Sequence, residues 1–142
     1  MLEVSFYTGV PDRLAFACRL LRKAQQSGAQ VLVYGPQAAL SRLDAALWSF
    51  EPTEFVPHVL HRPDLADALV AGTPIVLSER LDVAPHCRTV LNLSAEVLDD
   101  AQRFDRVLEL VSTDPEQMQA GRRRFKACKD RGLSVTHHEV KS

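Results

Sequence analysis

Between Glu3 and Trp48 an alternating stretch, a one-sided helical stripe, a short continuous apolar run and a second helical stripe follow one another, and few folds accept that succession. Glu3 to Tyr7 alternates and is rich in β-formers, and the turn cluster Thr8-Gly9-Val10-Pro11-Asp12 leads into a helical stretch. From Arg13 to Ser27 the apolar residues Leu14, Ala17, Cys18, Leu21 and Ala24 recur on one side, with Gly28 where a left-handed terminating residue belongs. Gln30 to Tyr34 reads as a buried strand. After Gly35-Pro36 a second helix carries Leu40, Leu43 and Leu47 on one face and ends near Trp48, before Glu51-Pro52-Thr53 breaks it. A strand–helix–strand–helix opening predicts an α/β fold with a parallel sheet and right-handed crossovers.

The rest of the chain is read on the same rules. Phe55-Val56-Pro57-His58 is a short extended piece, Pro63 to Ala71 a short helix, Pro74 to Leu77 a strand followed by a loop through Pro85, and Thr89 to Leu93 another strand. Phe104, Val107, Leu108 and Val111 fall at i, i+3, i+4 and i+7, which predicts a helix from about Ala95 or later to Val111. Asp114-Pro115-Glu116-Gln117 carries an Asp cap, Pro at the first helical position and a polar third residue to reach back; with Gly132 as the stop, a last helix spans Pro115 to Arg131. Ser134 to Val140 is either an edge strand or, with His137-His138 and Lys141-Ser142, a frayed tail. With 142 residues, no internal repeat and no linker, residues 1–142 are expected to form one domain, able to bury roughly 70 % of the surface its unfolded form exposes.

Several function classes drop out. The start of the chain lacks the pattern of a signal peptide and no apolar run approaches the length of a membrane span, so a cytoplasmic protein without membrane contact is expected. Cys18, Cys87 and Cys128 are odd in number and widely spaced, which predicts reduced thiols, with Cys18 and Cys128 packed in helix faces. None of Gly9, Gly28, Gly35, Gly72, Gly121 or Gly132 is followed by Lys-Ser/Thr, and no two make a G-x-G-x-x-G, so no backbone cradle for a pyrophosphate is present. No serine sits in a G-x-S-x-G elbow, and the five histidines form no H-E-x-x-H. His58 reads as a hydrogen-bonded or exposed loop residue. His86-Cys87 and His137-His138 are adjacent pairs, which on a strand point to opposite faces and do not chelate, and Asp99-Asp100 reads as a solvated face.

Two features remain. Arg122, Arg123, Arg124, Lys126, Lys129 and Arg131 stand against one acid, Asp130, a net +5 in ten residues of a chain whose total is −1. Arg122, Phe125, Lys126 and Lys129 share one helical stripe. An aromatic ring flanked by cations suits a single-stranded nucleic acid or an acidic peptide whose apolar end residue needs a slot. Nucleic acid wants several aromatics along a groove, and the basic helix has one, which favours the peptide. Met118, Gly121, Phe125 and Cys128 also form a stripe that could face the core, leaving Arg122 and Lys126 as a cationic rim. The second feature is Trp48 followed by Phe55 on irregular backbone, read either as an exposed apolar patch for a protein partner or as a plug at the base of the core. A small α/β nucleotide-binding enzyme with its site near Gly9 or Gly35, and a direct single-strand binder, are the competing classes.

The ordered set Phe6-Tyr7, Leu43-Asp44-x-Ala46-Leu47-Trp48, Phe55-Val56-Pro57-His58 and Arg124-Phe125-Lys126-Ala127 ahead of Gly132 resembles the chi subunit family of bacterial DNA polymerase III over almost the whole chain. The resemblance implies a Rossmann-like three-layer α/β sandwich with a mostly parallel central sheet and no nucleotide-binding loop. It also implies an accessory subunit with no catalytic site and no cofactor of its own, within a DNA-directed DNA polymerase. Such a subunit pairs with the psi subunit of the clamp loader and docks the acidic C-terminal tail of single-stranded-DNA-binding protein, so that its contact with DNA is mostly indirect. Carried over, the tail pocket comprises Val111, Arg122, Phe125, Lys126 and Lys129, and a surface for psi or a helicase comprises Trp48, Phe55, Val56 and Pro57. Phe125 stands where many relatives have Tyr, and Met118 where a further lysine is expected.

Overall fold

A computed structural model of the chain describes residues 2–49, 56–98 and 101–140. Among these, seven strands form one sheet: β1 (Glu3–Val10), β2 (Val31–Tyr34), β3 (His58–Leu60), β4 (Ile75–Ser78), β5 (Thr89–Asn92), β6 (Arg106–Ser112) and β7 (Ser134–Glu139). Their order is β3-β4-β2-β5-β6-β1-β7 and every neighbouring pair is parallel. Four helices, α1 (Arg13–Gln26), α2 (Gln37–Ser49), α3 (Asp67–Ala71) and α4 (Pro115–Asp130), cover it. None is long and apolar enough to cross a membrane.

Alternation along the strands divides the core in two. Val31, Val33, Ile75, Leu77, Leu108 and Leu110 meet Ala17, Cys18 and Leu21 of α1 and Leu40, Leu43 and Leu47 of α2. On the other face Val4, Phe6, Leu32, Val76, Val107 and Val111 meet Val70 of α3 and Cys128 of α4. This is the three-layer sandwich, with a sheet buried on both faces as all-parallel sheets are. Asp12 caps α1 by accepting from the amides of Leu14 and Ala15 at 3.0 and 3.2 Å, and Gly28 follows the helix with φ 85°. Asp114 caps α4 by accepting from the Gln117 amide at 3.1 Å, with Pro115 at the first position, while Gly132 takes φ 76° beyond its end. The reciprocal bond of a capping box is not made by Gln117; the Asp114 amide donates to the Ser112 hydroxyl at 3.2 Å instead.

Two expectations need correction. The helix expected up to Val111 is a strand: β6 lies between β5 and β1, preceded by a single 3₁₀ turn, Ala101–Arg103. A strand apolar on both faces presents a near-continuous run, and Val107-Leu108 with Leu110-Val111 satisfies a helical template as readily as a strand one. The helix expected from Pro63 starts only at Asp67, because residues 62–65 form a turn closed by a bond from the Leu65 amide to the Arg62 carbonyl. Ser134–Glu139 is the edge strand rather than a frayed tail, in register with β1 from Glu3 to Thr8.

Candidate functional site

The positive cluster on α4 splits by helical face. Arg124 turns inward: its Nε lies 2.9 Å from Glu109 Oε1, and both side chains are buried. Glu109 Oε2 accepts from Asn92 Nδ2 at 2.9 Å, and the same amide donates to the Glu96 carbonyl, so the carboxylate is held from β5 and α4 at once. Burial pushes the Glu109 carboxyl above its ordinary range against the pull of Arg124, and burial with the nearby Arg124 charge pushes Arg13 down. Arg131 donates to the Leu98 carbonyl at 3.0 Å. The outward cations are Arg122, Arg123, Lys126 and Lys129, and among the described residues none has a carboxylate within ion-pair distance.

Beside these cations α4 overhangs the carboxyl ends of β6, β1 and β7 and leaves a cleft of about 470 Å³. Its floor is apolar, from Phe6, Val111, Met118 and Phe125. Ser112 and Thr113 line it where β6 leads into α4, Thr8 and Gly9 on β1, and His137 and Glu139 on β7, while Arg122 is the one Lys or Arg among its lining residues. The Phe125 ring packs edge-on against Phe6 with centroids 5.2 Å apart, and Lys129 Nζ lies 5.6 Å from the Phe125 centroid. Gly121 sets the depth: a Cβ there would sit 2.7 Å from Val111 Cγ2, so only glycine lets α4 approach β6 this closely.

Of the residues expected to hold a peptide tail, Val111, Arg122 and Phe125 therefore meet in the cleft. Lys126 and Lys129 lie outside its lining as exposed cations of the same helix. The two readings of the Met118–Cys128 stripe are both partly realised, since Gly121 and Cys128 are buried, Phe125 is half-buried and Met118 is 37 % exposed. Sequence reasoning missed Phe6, Thr8, His137 and Glu139, which reach the site through the pairing of β1 with β7. A glycine in mid-helix was a signal of close packing that could have been read.

At the other end of the sheet Trp48 stands 63 % exposed on α2, its ring edge-on to His58 at 5.1 Å. Val56 does not share that surface: at 1 % exposure it belongs to the core under α2, and Pro57 is half-buried. A strand-leading valine beside β-sheet residues is drawn inward by the same burial that orders β3. Phe55 lies outside the described residues, as do Asp99 and Asp100. His58 is buried, with Nδ1 2.7 Å from the Val56 carbonyl and Nε2 3.1 Å from Asp44 Oδ1. All three thiols are buried, and burial pushes Cys18 and Cys87 up to about 11, which keeps them protonated and unreactive.

Comparison with solved structures shows the fold alone. The chain superimposes on T4 UvsW with a TM-score of 0.69 at 9 % identity, covering 98 % of this chain and 41 % of that one. It superimposes on the C-terminal domain of S. cerevisiae Dbp5 with a TM-score of 0.62 at 13 % identity, covering 96 % and 90 %. Sequence relatives are more specific. The DNA polymerase III subunit chi of Pseudomonas aeruginosa is 34 % identical over 99 % of this chain and 98 % of its own length. That of Haemophilus influenzae is 28 % identical over 87 % and 85 %. The model of the family described as "DNA polymerase III chi subunit, HolC" matches residues 1–136, so the chain belongs to the chi subunit family of DNA polymerase III and serves DNA replication as an accessory component of that polymerase.

Proposed function

We propose that this chain, acting as one domain, is an adaptor that joins the clamp loader to single-stranded-DNA-binding protein by seating that protein's acidic C-terminal tail in the α4 cleft. The observation that carries the reading is the juxtaposition of an apolar slot of about 470 Å³ with a cationic rim that forms no ion pair with a carboxylate among the described residues. A terminal aromatic side chain fits the floor formed by Phe6, Val111, Met118 and Phe125, and Arg122 is placed to hold a carboxylate by a charge-assisted bond. Lys126 and Lys129 raise the local potential for the acidic residues upstream. Phe125 offers the slot without the hydroxyl of a tyrosine, so its contact is purely apolar. The exposed Trp48 at the far end of the sheet is the docking point for psi or an alternative helicase, which would leave both partners bound at once.

Titration of a labelled acidic peptide ending in Phe, with and without that last residue, tests the cleft. Binding that disappears with the final residue and falls steeply with salt supports it; equal binding by both peptides, or tight binding of bare oligonucleotide at physiological salt in its place, overturns it.

A further inference from the structure

The cleft has a second polar wall that the adaptor reading does not use. Along β7 the side chains of His137 and Glu139 face α4, while His138 lies on the opposite face of the sheet, stacked on Tyr7 with centroids 4.9 Å apart. His137 Nε2 is hydrogen-bonded to Thr8 Oγ1, and the ring stands edge-on to Phe125 at 6.3 Å. Among the described residues its Nδ1 has no hydrogen-bond partner, and the residue is exposed at the lip of the apolar slot. The ring is thus anchored by one nitrogen with the other left to a ligand.

We infer that His137 is a second anion contact of this cleft, its imidazolium form holding the carboxylate of a peptide C-terminus from the β7 side while Arg122 holds it from α4. This rests on the docking role proposed for the cleft. The charged groups that line the cleft with the ring are Arg122 from α4 and Glu139 from its own strand, while Lys129 lies against Phe125 outside the lining; β1 contributes the uncharged Thr8. An arriving carboxylate adds a counter-charge that favours the protonated form. Binding and protonation are then linked, and affinity rises as pH falls through the range in which histidine charges. Glu139, further along the same wall, repels a carboxylate that slides past the ring, which confines it between His137 and Arg122.

The experiment measures the affinity of the full chain for a labelled acidic peptide ending in Phe, as the free acid and as the C-terminal amide, from pH 7.5 to 5.5 at constant ionic strength. The free acid is expected to bind about three- to tenfold more tightly at the lower pH, below the limit of tenfold per pH unit that one linked proton sets. The amide stays flat. His137→Gln removes the rise, Thr8→Val weakens it by freeing the ring, and His138→Gln, one residue away on the other face, leaves it intact. A rise that survives in His137→Gln, or that the amide shares, overturns the assignment while leaving the docking role standing. No binding of either peptide at any pH overturns both.

Discussion

Arg122 and Arg124 stand two residues apart on α4 and work in different worlds. Arg124 is buried, paired with Glu109 at 2.9 Å and surrounded by a network that reaches β5; Arg122 sits exposed at the mouth of a cleft with no internal partner among the described residues. The same guanidinium therefore has opposite energetic meaning. Inside, its removal strands a carboxylate in low dielectric. Outside, its removal leaves nothing unsatisfied and is felt only when an anionic ligand arrives. Charge clusters in a sequence must be divided by helical face before they are counted as a surface.

The sharpest break of that contrast is Arg124→Met. With Glu109 left buried and unpaired, unfolding free energy is expected to fall by about 3–5 kcal/mol, read as a lower denaturant midpoint with an unchanged slope. The pH dependence checks the cause. Burial already holds the folded-state Glu109 carboxyl above its unfolded value, and loss of Arg124 raises it further. A carboxyl with a raised folded value costs stability as pH rises through that value and costs none once protonated. The deficit of the variant should therefore shrink as pH is lowered toward the ordinary carboxylate range. A deficit below about 1 kcal/mol, or one independent of pH, would mean that the pair is not what holds α4 on the sheet.

Gly121→Ala tests the geometry between the two faces. The added methyl would meet Val111 Cγ2 at 2.7 Å, and overpacking of this kind costs about 1–3 kcal/mol, offset by up to about 1 kcal/mol of helix propensity. Because the contact is with a side chain that also floors the cleft, peptide affinity should fall as well. Val111→Ala in the same chain should restore stability in part; additivity of the two changes in a double-mutant cycle would show that they do not share a contact.

Much of this was legible in the residues. The succession of strand-like and helical stretches from Glu3 to Trp48 led to the parallel α/β sandwich, and the Asp114-Pro115 start with the Gly132 stop placed α4 almost to the residue. Those signals are local, set by caps and by one-sided burial. What misled was β6, where burial on both faces erased the period that distinguishes strand from helix. The site was half legible for a related reason. Arg122 and Phe125 lie on one helix and announce themselves by spacing, whereas Phe6, Thr8, His137 and Glu139 enter through the parallel pairing of two strands about 130 residues apart, which no local pattern encodes. Arg124 looked like part of the exposed cluster because nothing in its neighbours names Glu109 as its partner.

Arg122→Ala carries the contrast to the outer face. Stability should stay within about 0.5 kcal/mol of the parent, as for surface positions generally. Affinity for the acidic peptide should drop about tenfold, equivalent to about 1.4 kcal/mol, the scale of one hydrogen bond to a charged group. Arg122→Lys keeps the charge but loses the forked geometry, so it should recover only part of that loss. A change in the unfolding midpoint comparable to that of Arg124→Met would erase the distinction between the two arginines.

Lys126 gives the smallest effect and the finest discrimination. It shares the stripe with Arg122 but lies outside the cleft lining, fully in solvent range, so it acts through the field rather than through contact. Lys126→Ala should weaken the peptide by about twofold at low salt and by nothing measurable once the Debye length falls to a few ångströms near 1 M. Arg122→Ala should keep part of its effect at that salt, because a direct bond in a partly desolvated cleft is screened less than an exposed charge. If the two variants lose affinity in parallel across the whole salt range, Arg122 too is only part of the field, and the carboxylate sits elsewhere.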